Sequence, residues 1–326
     1  MPRKIVIVAT PTSPLLPQLL HALQHEPGLE ITVLTRQTSI SIPTSGSDSH
    51  SHPHSNNGTA NGHHHGSEAI HFQTDFSETE LQDHLHGVDT IVCTLTGPDL
   101  HLSGPLVDAA SAAKVKLFIP SEYGLDTSNS KIRDLLPPYR TRFEIQKKLE
   151  ASGMNWQAIY SGIGLEDAMK TDGVMGIDAL WASVVVFPGS EHIKVAVSSH
   201  LDVARSIVEV VREEDKKGEN EVYACGFRCT LEEVIAVVEK ELEKDVDRYE
   251  GNLKGAEKEA AERMKRGYFD GGVALMGRVA VWDQSVNAWG AWKHQQGKGA
   301  GKLETDLRKV VKQVRSGEIG GDGCGC

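Results

Sequence analysis

Short apolar runs alternate with helical periodicity through the first 160 residues. Lys4 to Ala9 holds a continuous apolar run, the pattern of a strand buried on both faces. Leu16, Leu19, Leu20 and Leu23 then follow at helical spacing. Ile31–Leu34 reads as a second strand and Ile70–Phe72 as a third, ending near Asp75. Glu78–His86 reads as a helix with Ser77 as its N-cap. Asp89–Cys93 is a fourth strand, Leu106–Ala113 a small-residue helix, and Val115–Ile119 a fifth strand closed by Pro120. Tyr139–Ala151 is a helix ended by Gly153 near the C′ position, and Trp156–Tyr160 is a sixth strand. This βαβα rhythm predicts an α/β fold, a Rossmann-like mostly parallel sheet with helices on both faces.

One stretch interrupts the rhythm. Gln37–Glu68 has no aromatic Phe, Tyr or Trp and is mostly Ser, His, Asn, Gly and Thr. Such a segment buries too little apolar surface to offset the entropy of ordering, so it reads as a disordered surface insertion. The second half is less regular. Val195–Val197 is strand-like, Asp202–Val211 helix-like and Glu221–Cys225 a possible short strand. Thr230 and Glu233 form a capping box. Ala256–Arg266 reads as a solvated helix with Glu259 and Arg263 at i,i+4. Four of the five tryptophans (Trp181, Trp282, Trp289 and Trp292) fall in this half and favour a substrate pocket there.

Composition then narrows the function classes. The chain has 326 residues, with 45 acidic and 34 basic side chains and a formal net charge of -11. An acidic protein of this kind argues against a nucleic-acid partner or an anionic membrane surface. No apolar run is long enough for a membrane span, and the opening apolar run is too short for a secretory signal. The 5 cysteines do not suggest a disulfide framework. The expectation is a soluble, cytoplasmic protein that handles a small molecule. Six of the 15 histidines (His50, His52, His54, His63, His64 and His65) lie in the insertion, where a fixed metal site lacks support. Cys225 and Cys229 have no matching second pair, and Cys324 with Cys326 does not fit a prenylation signal. No metal is expected.

The most specific signal is the run Leu117-Phe118-Ile119-Pro120-Ser121-Glu122-Tyr123-Gly124. It resembles the signature of the NmrA-like and isoflavone-reductase-like family of atypical short-chain dehydrogenases/reductases. That family carries Phe where Tyr123 stands. Gly87-Val88-Asp89, Thr35-Arg36 and the segment Ile145–Ile159 with Glu150-Ala151 and Gly153 agree in order. The resemblance covers residues 4–162 and, more loosely, Ile193–Val211. It implies residues 1–162 as a Rossmann-type NAD(P)-binding domain, 163–318 as a smaller C-terminal α+β substrate subdomain, and 319–326 as a flexible tail. It also implies NADPH-dependent reduction of a small, aromatic or polyketide-type metabolite and a role in secondary metabolism. A non-catalytic dinucleotide-sensing or regulatory binding protein and a non-redox enzyme on the same scaffold stay open as alternatives.

The family's glycine-rich turn after the first strand is missing. Ale positions that match its three glycines are Ala9, Thr12 and Leu15. Glycines there allow a tight turn, backbone approach to pyrophosphate and close helix packing. Leu15 is expected to displace the helix or delay its start, and Pro17 suits a later first helical position. Pro11, Pro14 and Pro17 also lack the N–H groups that cradle phosphate. Thr10, Thr12 and Ser13 offer hydroxyls instead, so an altered and a lost NADP site both remain open. Arg36, at the exit of the second strand, matches the place where an Arg takes the 2′-phosphate of NADP. Its alternative is a solvated surface charge.

Carbonyl reduction needs a group that stabilises or protonates the developing oxyanion. The resemblance puts a catalytic Lys at the position of Arg142. An Arg can stabilise an oxyanion but hardly donates a proton. Tyr139, three residues earlier, can share its cleft. Thr94 and Ser121 are the expected cofactor contacts at the strand exits, and Glu122, Tyr123, Ser161 and Gly162 the expected substrate-side lining. Lys147 and Lys148 read as solvated helix charges.

Overall fold

The computed structural model describes residues 2–38, 68–171, 173–213, 219–295 and 300–319. The insertion expected over Gln37–Glu68 lies outside the described residues except at its ends, and so do its histidines. The tail beyond Ile319, with Cys324 and Cys326, also lies outside them.

The first half runs β1 (Arg3–Ala9), α1 (Leu15–Gln24), β2 (Leu29–Thr35), β3 (Ile70–Gln73), α2 (Glu78–Leu85), β4 (Thr90–Thr94), α3 (Ser103–Ala112), β5 (Leu117–Ile119), α4 (Ser130–Leu135), α5 (Pro137–Ser152) and β6 (Ala158–Tyr160). Five strands form a parallel sheet in the order β3-β2-β1-β4-β5. β6 is attached to β5 through a single parallel bridge between Phe118 and Trp156. Successive side chains of β1, β4 and β5 point to opposite faces and are buried on both, as in a sheet covered on each side. Ile5, Ile7 and Ala9 pack on the leucines of α1, while Val6 and Val8 join the cluster of α2, α3 and α5.

The second half adds β7 (Ile163–Gly164), α6 (Leu165–Ala168), β8 (Ile177–Asp178), β9 (Ser183–Val186), β10 (Val195–Ser198), α7 (His200–Arg212), β11 (Glu221–Tyr223), β12 (Phe227–Cys229), α8 (Leu231–Leu242), β13 (Asp247–Glu250), α9 (Leu253–Lys265), α10 (Phe269–Trp282) and α11 (Ala300–Arg315). β10 lies between β7 and β12, and β9 between β8 and β13. Three elements return to the first half: β11 pairs parallel with β6, α7 packs against α1 and α10 against α4. The Thr230–Glu233 capping box closes with both reciprocal bonds, at 3.2 and 2.8 Å. Glu259 and Arg263 pair at 3.0 Å.

Three expectations need correction. α1 starts at Leu15, so Pro17 is its third residue and not its first. The first-turn N–H groups have no intrahelical acceptor, so a proline there costs the helix nothing. Leu15 is buried with the other leucines and does not push the helix away. Ser77 stands at the N-cap, but its hydroxyl makes no capping bond. Finally, Trp282, Trp289 and Trp292 are buried packing residues whose indole N–H groups reach backbone carbonyls of Val174, Val281 and Ala224. They therefore build core and do not line the principal cavity, while Trp181 is 76% exposed. Among the described residues no helix is long and apolar enough to cross a membrane, and no His/Cys/Asp/Glu group is arranged to hold a metal.

Candidate active site

The sheet order reverses between β1 and β4, the point at which open α/β sheets bind ligands beyond the carboxyl ends of their strands. A cavity of about 650 Å³ opens there. Its floor is built from the exits of β1, β4, β5 and β6, and its far wall from α6, α7 and α10.

The β5 exit sets the geometry. Pro120 ends the strand, and the Glu122 N–H donates to the Pro120 carbonyl at 2.9 Å. The Gly124 carbonyl then accepts both Ser161 and Gly162 N–H groups at 3.0 Å, joining this exit to that of β6. Gly162 has φ +76, and a Cβ on it would lie 2.3 Å from the Ala196 carbonyl oxygen. Only glycine fits that combination of left-handed backbone and close approach. A Cβ on Gly124 would lie 2.6 Å from Tyr139 Oη, so this glycine makes room for the phenol.

Pro137 and Pro138 open α5, where their missing N–H groups are not needed. Helical spacing then turns Tyr139, Arg142 and Gln146 toward the β5 exit. Tyr139 Oη accepts the Leu125 N–H at 3.0 Å, which leaves its own proton available to the cavity. The Arg142 guanidinium lies 4.7 Å from the centre of the Tyr139 ring. Two polar atoms of this wall, Tyr123 Oη and Arg142 Nε, are buried with no hydrogen-bond partner. Leaving such an atom without a partner costs about 1–3 kcal/mol. Burial holds the Tyr123 phenol protonated, well above its ordinary range.

Glu122 is placed behind this wall. It is 1% exposed and accepts Gln146 Nε2 at 2.8 Å and the Thr127 hydroxyl. Gln146 Nε2 also reaches Tyr160 Oη at 2.9 Å. Loss of solvation pushes the Glu122 carboxyl up to about 7, partly offset by the Arg142 charge and these donors.

The cavity brings together Ser13, Thr94, Ser121, Tyr123, Tyr139, Arg142 and Gly162 of the residues expected from sequence. Glu122 and Ser161 are buried beside it without lining it. Thr10 is directed to the neighbouring loop, its hydroxyl donating to the Thr96 carbonyl at 3.3 Å and accepting the Thr96 N–H at 3.0 Å. Thr12 is exposed. Arg36 is also outside the cavity and pairs with Asp99 at 3.0 Å.

The glycine-free loop has a conformation ordinary residues can adopt. No residue from Ala9 to Leu15 has a positive φ. The turn closes through a 2.9 Å bond from the Ser13 N–H to the Thr10 carbonyl. That bond occupies one loop N–H, and the prolines remove others, so the cradle offers few backbone donors.

Sequence reading missed Lys170, His200 and Asp270, which line the opposite wall. Lys170 pairs with Asp167 at 2.7 Å. The Glu166 carboxylate accepts the His200 backbone N–H at 3.1 Å and lies 3.5 Å from its ring Nδ1. The available signal was the Ser199–Asp202 capping box, which sets His200 as the first helical residue just beyond β10.

A profile of the NmrA-like family matches residues 6–265. The chain is 34% identical over 99 residues to the oxidoreductase aprR of Aspergillus flavus, a match covering 29% of this chain and 33% of that protein. The chain thus spans about a third of the length of this curated relative. Its fold resembles leucoanthocyanidin reductase from Vitis vinifera, solved as a binary complex with NADPH, with a TM-score of 0.69 and 14% identity over 95% of this chain and 99% of that one. It also resembles isoflavone reductase, with a TM-score of 0.65 and 17% identity over 94% and 100% of the two chains.

Proposed function

The chain belongs to the NmrA-like family, and from that premise we propose that it is an NADPH-dependent reductase of the isoflavone-reductase-like kind. Its substrate is a small, ring-bearing metabolite of the aromatic or polyketide type. The observation that carries this reading is the cavity at the β1–β4 switch point, where a phenol and a guanidinium converge with unsatisfied polar atoms. In this reading a dinucleotide runs from the cavity, at Ser13, Thr94 and Ser121, out past Thr10, Thr12 and Arg36, which lie beyond its lining. Arg36 would hold the 2′-phosphate, Thr10, Thr12 and Ser13 the pyrophosphate, and Thr94 with Ser121 the nicotinamide end.

A bound nicotinamide supplies the hydride. Arg142 stabilises negative charge developing on a substrate oxygen, a task for which its fixed positive charge suits it. Tyr139 donates the proton, because its oxygen already accepts from Leu125 and its O–H is directed elsewhere. Tyr123, Gly162 and the apolar side chains Leu125, Val174 and Val273 shape the substrate side. Glu122 and Ser161 act from behind, holding the β5 and β6 exits in register. In this reading the cofactor half includes β11 and α7 as well as residues 1–162, and the rest of residues 163–318 forms the substrate lobe. The net charge of -11 supports a cytoplasmic enzyme, and a place in secondary metabolism rests on the family resemblance alone.

A second reading, a non-catalytic dinucleotide sensor, is favoured by the three prolines of the loop and by the absence of Lys at position 142. Fluorescence titration with NADPH, and competition by NADP, tests the cofactor. Saturable binding is expected, with Arg36→Ala weakening NADPH by ~10-fold or more and leaving NADH nearly unchanged. Absence of binding defeats both readings. Binding without turnover over a panel of aromatic ketones, unchanged by Arg142→Lys, selects the sensor.

A further inference from the structure

We propose that a second cavity, bordering the first only at Val281 of α10, binds a small molecule through an oxyanion, a phosphate or carboxylate group. This cavity measures about 460 Å³, within the range of small-ligand sites. Its lining gathers Lys194, Arg228, Lys293 and His192, set against a single carboxylate, Asp283. The Asp283 Oδ1 already accepts the Ser285 N–H at 2.8 Å.

Arg228 carries the argument. It projects from β12, which is fixed by its pairing with β10. Its Nη1 and Nη2 reach only the backbone carbonyls of Lys293 and Lys194, at 3.4 and 3.3 Å. Its Nε is buried and has no hydrogen-bond partner. Among the described residues, neither Arg228 nor the two lysines has a carboxylate partner. Arg212 is paired with Glu26 and Arg248 with Glu232, whereas Arg228, like Arg133 and Arg140, reaches only backbone carbonyls, and unlike them it also keeps a buried Nε with no partner. Neutral carbonyls orient a guanidinium but do not cancel its charge, and three like charges on one lining repel one another. An oxyanion removes that repulsion and supplies a charge-assisted acceptor. The cavity is also larger than a single water or chloride requires.

Isothermal titration of the full chain in chloride buffer at constant ionic strength tests the site, with pyrophosphate and citrate as probes. Saturable binding of at least one probe is expected, and the tighter probe identifies the group as phosphate-like or carboxylate-like. Arg228→Gln is expected to weaken it by ~10-fold or more and Lys293→Gln by ~3-fold. Arg36→Ala and Ser13→Ala are each expected to leave probe binding unchanged, which separates this site from the proposed seats of the cofactor's 2′-phosphate and pyrophosphate. The proposal is overturned if neither probe binds, if the heat follows ionic strength alone, or if Arg36→Ala or Ser13→Ala abolishes binding while Arg228→Gln keeps it. Lys293 is exposed, so its variant keeps the test decisive should Arg228→Gln fail to fold: unchanged binding in Lys293→Gln also overturns the proposal.

Discussion

The two ends of the main crevice have diverged in opposite ways. At the end proposed to take the cofactor phosphates, from Ala9 to Leu15, the family's glycines are absent, yet the backbone makes a hydrogen-bonded turn without any left-handed residue. At the reaction end, the Ser121–Gly124 run keeps close to its family pattern, and the neighbouring glycines are demanded by steric contacts. The comparison teaches that this loop folds into an ordinary hydrogen-bonded turn without glycine. A glycine resists replacement where protein atoms already occupy the space of a Cβ.

The largest effect should come from imposing a side chain at the reaction end. Gly162→Ala places a Cβ against the Ala196 carbonyl in a left-handed conformation, and is expected to cost ~2–5 kcal/mol. Thr12→Gly at the phosphate end should change stability by less than ~1 kcal/mol. Urea unfolding of both variants measures the contrast, and similar costs would erase it.

Next comes the buried carboxyl behind the reaction end. Folding raises Glu122 from an ordinary value of 4.5 to about 7. The unfolded chain therefore releases this proton first, and stability falls as pH rises between those values. The loss is complete above about pH 7 and amounts to roughly 3 kcal/mol. Glu122→Gln should flatten that part of the pH dependence and gain on the native protein at about pH 8. Urea midpoints at about pH 5 and pH 8 would show it, and parallel curves would remove Glu122 as the cause.

The smallest expected effect is at the phosphate end. Asp99 already pairs with Arg36, so it competes with any 2′-phosphate for the same guanidinium. An exposed pair contributes under ~1 kcal/mol, so Asp99→Asn should tighten NADPH by ~2–5-fold and leave NADH unchanged. Equal gains for both cofactors would point to general electrostatics.

Much of the sheet was legible because parallel strands carry continuous apolar runs, such as Ile5–Val8 and Ile91–Cys93. Arg142 was singled out through the family resemblance, and helical spacing on α5 then brought in Tyr139, three residues earlier; both line the cavity. The opposite wall was not. Lys170 and His200 arrive on short turns and a helix start whose positions depend on distant pairings such as β7 with β10. Arg36 was found, but its partner Asp99 was invisible, since 63 residues separate them and only the fold makes them neighbours. The tryptophans misled because composition does not separate core aromatics from pocket aromatics.

The pairing of β11 with β6 also bears on how the protein is made. As the chain leaves the ribosome, β6 emerges with one edge open until residues 221–223 follow, and α1 awaits the face of α7. An open edge strand and an uncovered apolar helix are the features that chaperones and aggregation both exploit. The nascent first half is therefore exposed to misassembly while residues 163–220 are still being synthesised.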